Sequence, residues 1–328
     1  MKVWFPTPAT QTGSQVFTNQ LACALSKRGI ETVITTYPKY IEAMPWLLSN
    51  YKPPERSNLV HLGSGSAAGF FHHGIPSVIT AHGAFERPDY DQYKSFAQKQ
   101  YHSLLIRPNI KNAVAEASIV TAVSSWVANI YQRDYAADKI SVINNWVDTN
   151  VFSPMQKPMT RKLLFVGRTA WQKGSQLLPE LSEILGSDFE LTCTLLEHEW
   201  TGQVPRNVSL IGPVARNKMI DLYRSHDALV VPSLAEGFCL AAAEAMACGL
   251  PVFGFRGHGL DDVIGPMMDS CTTGMLDVKG LAERIRSVFD QQQIYRNISE
   301  QSQLRVRSCF TEQIALTKYI SIYEKIAL

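Results

Sequence analysis

The chain has almost no net charge: 31 Lys and Arg against 29 Asp and Glu leave +2 over 328 residues. That balance excludes a general electrostatic footprint for nucleic acid, though not a local basic patch. Long apolar runs are missing too. No stretch approaches the roughly 18 residues that cross a bilayer. Cysteine is sparse, and Cys23, Cys193, Cys239, Cys248, Cys271 and Cys309 are scattered. Their spacing suggests neither a zinc site nor a disulfide framework. Isolated cysteines mostly behave as small buried apolar groups, so a reducing, cytoplasmic setting is the simplest expectation. No repeat of 20–50 residues and no low-complexity tract breaks the chain. Its start, Met1 to Pro6, reads as a strand running into a loop rather than a signal peptide.

What is present is an ordinary globular composition, 45% apolar and 18% charged, with a length that suits two α/β domains. Strand, small-residue loop and helix alternate. Lys2 to Pro6 is the first strand, with a helix from Gln15 to Arg28 and a second strand from Thr32 to Thr36. Leu59 to Leu62 and Pro76 to Ala81 are further strands, the latter delivering His82 and Gly83 at its carboxyl end. Gly63-Ser64-Gly65-Ser66 has the makings of a phosphate nest, although Gly and Ser are also common loop formers. Phe85 to Arg107 is polar and aromatic, open to an acceptor-facing, membrane-facing or merely solvated helix. Ser118 to Val123 and Lys139 to Ile143 complete the strands of the first half. Pro154 to Thr160 reads as a linker. Leu163 to Gly167 then restarts the pattern.

The stretch from Pro232 to Pro251 stands out. It follows Ala228-Leu229-Val230-Val231, a buried-strand run, and stops at Gly249-Leu250-Pro251. Leu240 to Cys248 between them is almost entirely helix-forming. Glu236 therefore sits in a strand-to-helix loop and Glu244 inside the helix. In a parallel sheet such a loop opens onto the crevice where ligands bind. A carboxylate on an apolar helix face needs a partner, and sugar or ribose hydroxyls are suitable ones. The plain alternative is a helix start with one capping and one solvated Glu.

Glu236-Gly237-Phe238, with Glu244-Ala245-Met246-Ala247 and Gly249-Leu250-Pro251, resembles the E-x7-E signature of retaining GT-B glycosyltransferases, most closely family 4. Phe165-Val166-Gly167-Arg168 and Trp171-Gln172-Lys173-Gly174 resemble that family's G-R-x(4)-K-G. Thr80-Ala81-His82-Gly83 resembles its T-x-H segment, which favours His82 over His72, His73 and His102. Asn145-Trp146-Val147-Asp148 resembles its Asn-Gly-Val-Asp, with Trp146 in place of Gly. Cys239 is a second departure, standing where Gly or another small residue is usual. A Gly-Gly pair after the first strand is represented only by Gly13, between Thr12 and Ser14. Asp261-Asp262 stands where the family has a Glu.

The resemblance implies two Rossmann-like domains facing a cleft, an acceptor-side domain over residues 1–155 and a nucleotide-sugar-binding domain over 156–310. A last helix, 311–328, would cross back onto the first. It implies transfer of a sugar from a nucleoside-diphosphate donor to a hydroxyl of a glycan, lipid-linked or small-molecule acceptor, with retention, in glycan or glycolipid synthesis such as that of a surface polysaccharide. Arg168 and Lys173 would neutralise the leaving diphosphate in place of a divalent metal, so neither metal nor cofactor is expected. Glu236 would hold the donor sugar, Glu244 the ribose, and His82 would line the reacting face. Gly13, Pro213, Gly237, Phe238, Cys239 and Leu240 would complete the donor site. A peripheral contact with the inner membrane face fits such acceptors. A catalytically silent scaffold of the same fold and a sugar-phosphate synthase are the rival readings. A phosphorylase would need a pyridoxal-phosphate lysine and a longer chain.

Overall fold

A computed structural model describes residues 1–9, 13–65 and 67–327, leaving aside the side chains of Ala43, Pro45, Trp46, Ala68, His72 and His73. Thr12 and Ser66, named above as loop candidates, lie outside the described residues, as do the side chains of His72 and His73. The chain divides into two compact units, Met1–Asn145 with Glu312–Leu328, and Trp146–Thr311.

The first unit is built on β1 (Lys2–Pro8), β2 (Glu31–Tyr37), β3 (Leu59–Gly63), β4 (Ser77–Ala81), β5 (Ile119–Ala122) and β6 (Ile140–Val142). They form one parallel sheet in the order β2-β1-β3-β4-β5-β6. Its central strands are buried on both faces, as in helix-covered parallel sheets. Val78, Ile79 and Ala81 of β4 are fully buried. The helices are α1 (Gly13–Ser26), α2 (Phe96–Tyr101), α3 (Arg107–Glu116) and α4 (Ser125–Tyr135). Ser95 caps α2 through a reciprocal box with Gln98. One π-type turn at His102–Ile106 joins α2 to α3, so much of the polar, aromatic stretch is helical.

The second unit repeats the plan with β7 (Lys162–Phe165), β8 (Glu190–Cys193), β9 (Val208–Leu210), β10 (Ala228–Val231), β11 (Val252–Phe255) and β12 (Thr272–Thr273). Their parallel order is β12-β11-β10-β7-β8-β9. Counted within the unit this is the 3-2-1-4-5-6 order of a dinucleotide fold, whose direction reverses between β7 and β10. Around it lie α5 (Leu178–Leu185), α6 (Met219–Ser225), α7 (Leu240–Ala247), α8 (Leu260–Ile264), α9 (Met268–Cys271), α10 (Val278–Phe289) and α11 (Gln292–Cys309).

The second unit starts at Trp146, ahead of the proline-containing linker. The Arg224 side chain donates to the Ser153 carbonyl at 3.0 Å and to Ser153 Oγ at 2.7 Å, and Phe152 packs edge-on to Tyr223. Residues 146–153 are thereby part of its body.

The chain ends in α12 (Glu312–Ile326), grouped with the first unit. Its fully buried Tyr319 and Tyr323 reach a polar chain through the sheet. His61 Nδ1 meets the Tyr323 hydroxyl, and His61 Nε2 lies 2.7 Å from Thr80 Oγ1. Thr80 Oγ1 is in turn 2.7 Å from Thr121 Oγ1, which donates to the Ile79 carbonyl at 3.1 Å. Three adjacent strands and the last helix share one buried network, so each polar atom has a partner away from water. No helix of the described residues is long and apolar enough to cross a membrane.

Candidate functional site

The direction change between β7 and β10 puts two loops side by side at the carboxyl edge. After β7 the chain passes Gly167 and the exposed Arg168, then turns through Trp171–Lys173 to Gly174. Gly174 has φ +67°, and a Cβ there would fall 1.7 Å from the Pro232 carbonyl oxygen. Only glycine lets this turn seat against the loop after β10, where the Leu234 N–H donates to the Gln172 carbonyl at 2.8 Å. That seating brings the two charged candidates together. Lys173 Nζ donates to Glu236 Oε1 at 2.8 Å, and Ser233 Oγ donates to the same oxygen at 2.8 Å.

Glu236 is buried, while Lys173 keeps 35% of its side chain exposed. Burial works against the Lys173 charge, and the nearby Arg168 guanidinium does too. The Glu236 carboxylate outweighs both and holds the ammonium above its ordinary pKa. Lys173 therefore stays cationic with donors to spare. Arg168, Lys173 and Glu236 are one electrostatic group.

Behind the loop stands a residue that spacing did not single out. His258 is fully buried, its Nε2 lying 2.9 Å from the Ser233 carbonyl. Its Nδ1 accepts from the Leu260 N–H at 3.3 Å, which makes Nε2 the protonated nitrogen. Burial keeps its pKa below the usual histidine value, so it is a neutral strut. Beside it the Gly259 N–H donates to the Glu236 carbonyl at 2.9 Å, and a Cβ on Gly259 would meet the Gly237 carbonyl oxygen at 2.1 Å.

Glu244 lies in α7, only 2% exposed. The Tyr223 hydroxyl donates to its Oε2 at 3.1 Å, and the Arg216 guanidinium pairs with its Oε1. Arg216 also stacks over Phe152, 5.1 Å from the ring centroid. Burial raises the Glu244 pKa against the pull of Arg216 and Tyr223. Glu244 is thus a buried carboxylate with partners, not a solvated helix residue. Arg216 and Tyr223 precede β10 without any motif that would mark them.

Gly237, Phe238 and Cys239 are buried and Leu240 half-buried where α7 begins. Phe238 packs edge-on to Phe310 at 5.2 Å. Cys239, the N-cap, has φ +69° and ψ 74° and makes no side-chain cap. This is the left-handed region that favours glycine, so the departure at 239 carries a backbone cost. Trp146, at the other departure, is buried and not among the positive-φ residues, so its backbone does not demand glycine. Pro213 lies exposed just after Gly212. Asp261 accepts from the Gly257 N–H at 2.9 Å and holds that turn.

Gly13 and His82 belong to the first unit. Gly13 opens α1, exposed, with space around it. His82 follows β4 and stacks edge-on to Phe17, 4.7 Å between centroids. Burial pulls its pKa down to about 4, which leaves a neutral imidazole.

The expectation that no metal is needed rests partly on the chain having no Asp-x-Asp, and that ground is wrong: Asp89-Tyr90-Asp91 is one. Its carboxylates are already engaged in the first unit: Asp89 pairs with Arg87, and Asp91 lies 2.9 Å from Lys94 Nζ.

Two family models match the chain, "Glycosyltransferase Family 4" over residues 35–151 and "Glycosyl transferases group 1" over residues 148–305. A D-inositol 3-phosphate glycosyltransferase of an Arthrobacter species is 33% identical over 41% of this chain and 37% of that protein. The chain spans less than half the length of the first curated relatives it matches. Among solved structures, sucrose-phosphate synthase from Thermosynechococcus elongatus superposes with a TM-score of 0.81 at 16% identity, covering 99% of this chain and 98% of that one. HepE from Anabaena, solved with UDP and glucose, gives 0.73 at 16% identity over 99% and 100%. With both halves matched by these models and the GT-B fold reproduced over nearly its whole length, the chain belongs to the family 4, group 1 glycosyltransferases.

Proposed function

We propose that this chain transfers a sugar from a nucleoside-diphosphate donor to an acceptor hydroxyl with retention of configuration, without a divalent metal. One observation carries the reading: Lys173 and Glu236 meet at 2.8 Å on the two loops flanking the direction change of the second sheet. A crevice at that point takes nucleotides in folds of this order. Lys173, part-exposed, and Arg168, exposed beside it, would stabilise the diphosphate as negative charge grows on it. Glu236, fixed by Ser233, would accept hydrogen bonds from the sugar hydroxyls. Glu244 would hold the ribose.

His82, neutral, would line the reacting face as a hydrogen-bonding group. Retention is attributed to front-face attack assisted by the leaving phosphate, as the family resemblance implies, with Glu236 assigned to the sugar hydroxyls and Glu244 to the ribose rather than to a covalent step. Glu236 Oε1 already takes two donors, and Glu244 is buried between Arg216 and Tyr223. We place the reaction in glycan or glycolipid synthesis, at a cytoplasmic site or the inner membrane face.

The test is a panel of nucleotide sugars with and without candidate acceptors, following diphosphate release and the anomeric configuration of product by NMR. A shift of the melting midpoint by one nucleoside diphosphate, with turnover of its sugar, is expected. Binding without turnover of any sugar would favour the silent scaffold, and inversion would remove the front-face mechanism.

A further inference from the structure

The first unit holds a cavity of about 790 Å³ that none of the residues discussed above for sugar transfer lines. Three stretches wall it. Arg87, Pro88 and Asp89 come from the segment after β4. Ser103, Arg107 and Lys111 come from the helical rod, and Arg133, Asp134 and Tyr135 from the end of α4. A volume of this order suits a small organic ligand.

Four cations face two carboxylates, an excess of two positive charges. The carboxylates are already committed. Arg87 pairs with Asp89, and its Nε lies 3.3 Å from Asp134, whose other oxygen takes Arg133 Nε at 2.6 Å. Arg107 and Lys111 are left over. Arg107 spends its Nε on the Glu86 carbonyl at 3.0 Å, and its Nη2 comes no nearer than 4.0 Å to Asp91. Lys111 is exposed and has no ion pair among the described residues.

The two stand four residues apart on α3, a spacing at which like charges repel across one helical turn. Glu86, behind the wall, gives little relief. It accepts from the Tyr135 hydroxyl at 2.6 Å, and burial raises its pKa. A guanidinium fork and an ammonium one turn apart match the oxygens of a phosphate dianion. Ser103 and Asn112 on the same rod add a hydroxyl and an amide for neighbouring hydroxyls.

We propose that this pocket binds a phosphomonoester carried on a small polyol or sugar, with Arg107 and Lys111 as its phosphate ligands. The same group occurs free in solution and as the headgroup of phosphatidic acid. The test separates the two sources. Lys111 acetylation by an amine reagent is read by mass spectrometry against Lys279, an exposed lysine of the second unit. The probes are glycerol 3-phosphate, glycerol, and phosphatidylcholine vesicles with or without phosphatidic acid.

With glycerol 3-phosphate at ten times its Kd, Lys111 labelling should fall about tenfold while Lys279 is unaffected. Glycerol should do nothing. Protection by the phosphatidic acid vesicles alone would assign the ligand to a lipid headgroup. In calorimetry Lys111→Glu should weaken glycerol 3-phosphate binding about tenfold or more, and Lys111→Arg should retain it. Because Lys111 is exposed, both variants should fold. Unchanged labelling with every phosphate probe, or equal affinity in Lys111→Glu, would overturn the proposal.

Discussion

The Tyr223 hydroxyl donates to Glu244 Oε2 at 3.1 Å, which ties the helix carrying the second glutamate to the helix before β10. The other carboxylate oxygen belongs to Arg216, whose side chain is 56% exposed. A ribose reaching Glu244 would compete with Arg216, the accessible partner, and leave Tyr223 in place. The glutamate is then both a proposed ligand and a structural hub.

Glu244→Gln should accordingly weaken nucleoside diphosphate binding and also cost stability, about 1–3 kcal/mol for disturbing a buried hydrogen-bonded group. The pH dependence has a definite sign. Burial raises the Glu244 pKa, so the folded chain holds more proton than the unfolded one between the two values. Its contribution to stability is greatest below the unfolded pKa and declines as pH rises through the folded one. The melting gap between wild type and Glu244→Gln should therefore narrow from pH 4 upward. A gap that widens would reverse the assignment.

The two cations should fail differently. Arg168 is exposed and enters no ion pair among the described residues, so Arg168→Ala should lose transfer rate with its melting point unchanged. Lys173→Ala also strips the buried Glu236 of its counter-charge and should lower the melting point as well. Each should cost roughly 2–4 kcal/mol of transition-state stabilisation in kcat/KM. Near-normal turnover in both would refute the diphosphate assignment.

His82 and His61 set an acid limit. Burial pulls His82 down to about 4 and His61 to about 3, with the His82 charge adding to the second shift. Unfolded, both would titrate near 6.5. Their contribution is complete above that value and is lost as pH falls toward 4. Thermal melts should show instability growing below pH 6.5, reduced in His82→Gln. Transfer rate should stay flat from pH 8 to about 6, since the imidazole remains neutral. A rate that falls through pH 6.5 with full structure retained would give His82 a titrating role.

Much of the fold was legible because parallel strands announce themselves as short apolar runs. Ala228–Val231 and Ser77–Ala81 fall within about a residue of the expected bounds. Helix α11, which no expectation covered, was not legible: its buried residues are only Ile298, Ser302 and Val306 in eighteen, too thin a stripe for periodicity to register. The loops carrying Lys173 and Glu236 could be placed from motif spacing, but not their 2.8 Å contact, which depends on Gly174 seating under Pro232. Ser233, His258, Arg216 and Tyr223 stayed invisible because ordinary residue types acquire their roles only through tertiary packing.

Metal independence can be tested against the Asp-x-Asp. If Arg168 and Lys173 serve the diphosphate, EDTA should leave turnover intact. Asp89→Asn and Asp91→Asn should change stability more than rate, through lost pairing with Arg87 and Lys94. Activity abolished by EDTA and restored by manganese would return the metal to the mechanism, and loss in Asp91→Asn as well would place it.

Cys239 offers the sharpest local test. At φ +69° a side chain crowds its own backbone, a conformation costing about 1–2 kcal/mol for a residue other than glycine. Its carbonyl starts the helix, accepting from the Ala242 and Ala243 N–H groups at 3.1 and 3.3 Å, so the strained residue also orients the α7 N-terminus. Cys239→Gly removes that strain while giving up a small buried thiol and adding chain entropy to the unfolded state. The opposing terms are each of order 1 kcal/mol, so the melting point should hold or rise slightly, with transfer retained. Cys239→Val puts a β-branched side chain at the same φ and should lower both. If Cys239→Gly instead destabilises the fold as much as Cys239→Val does, the thiol's packing rather than the backbone governs this position.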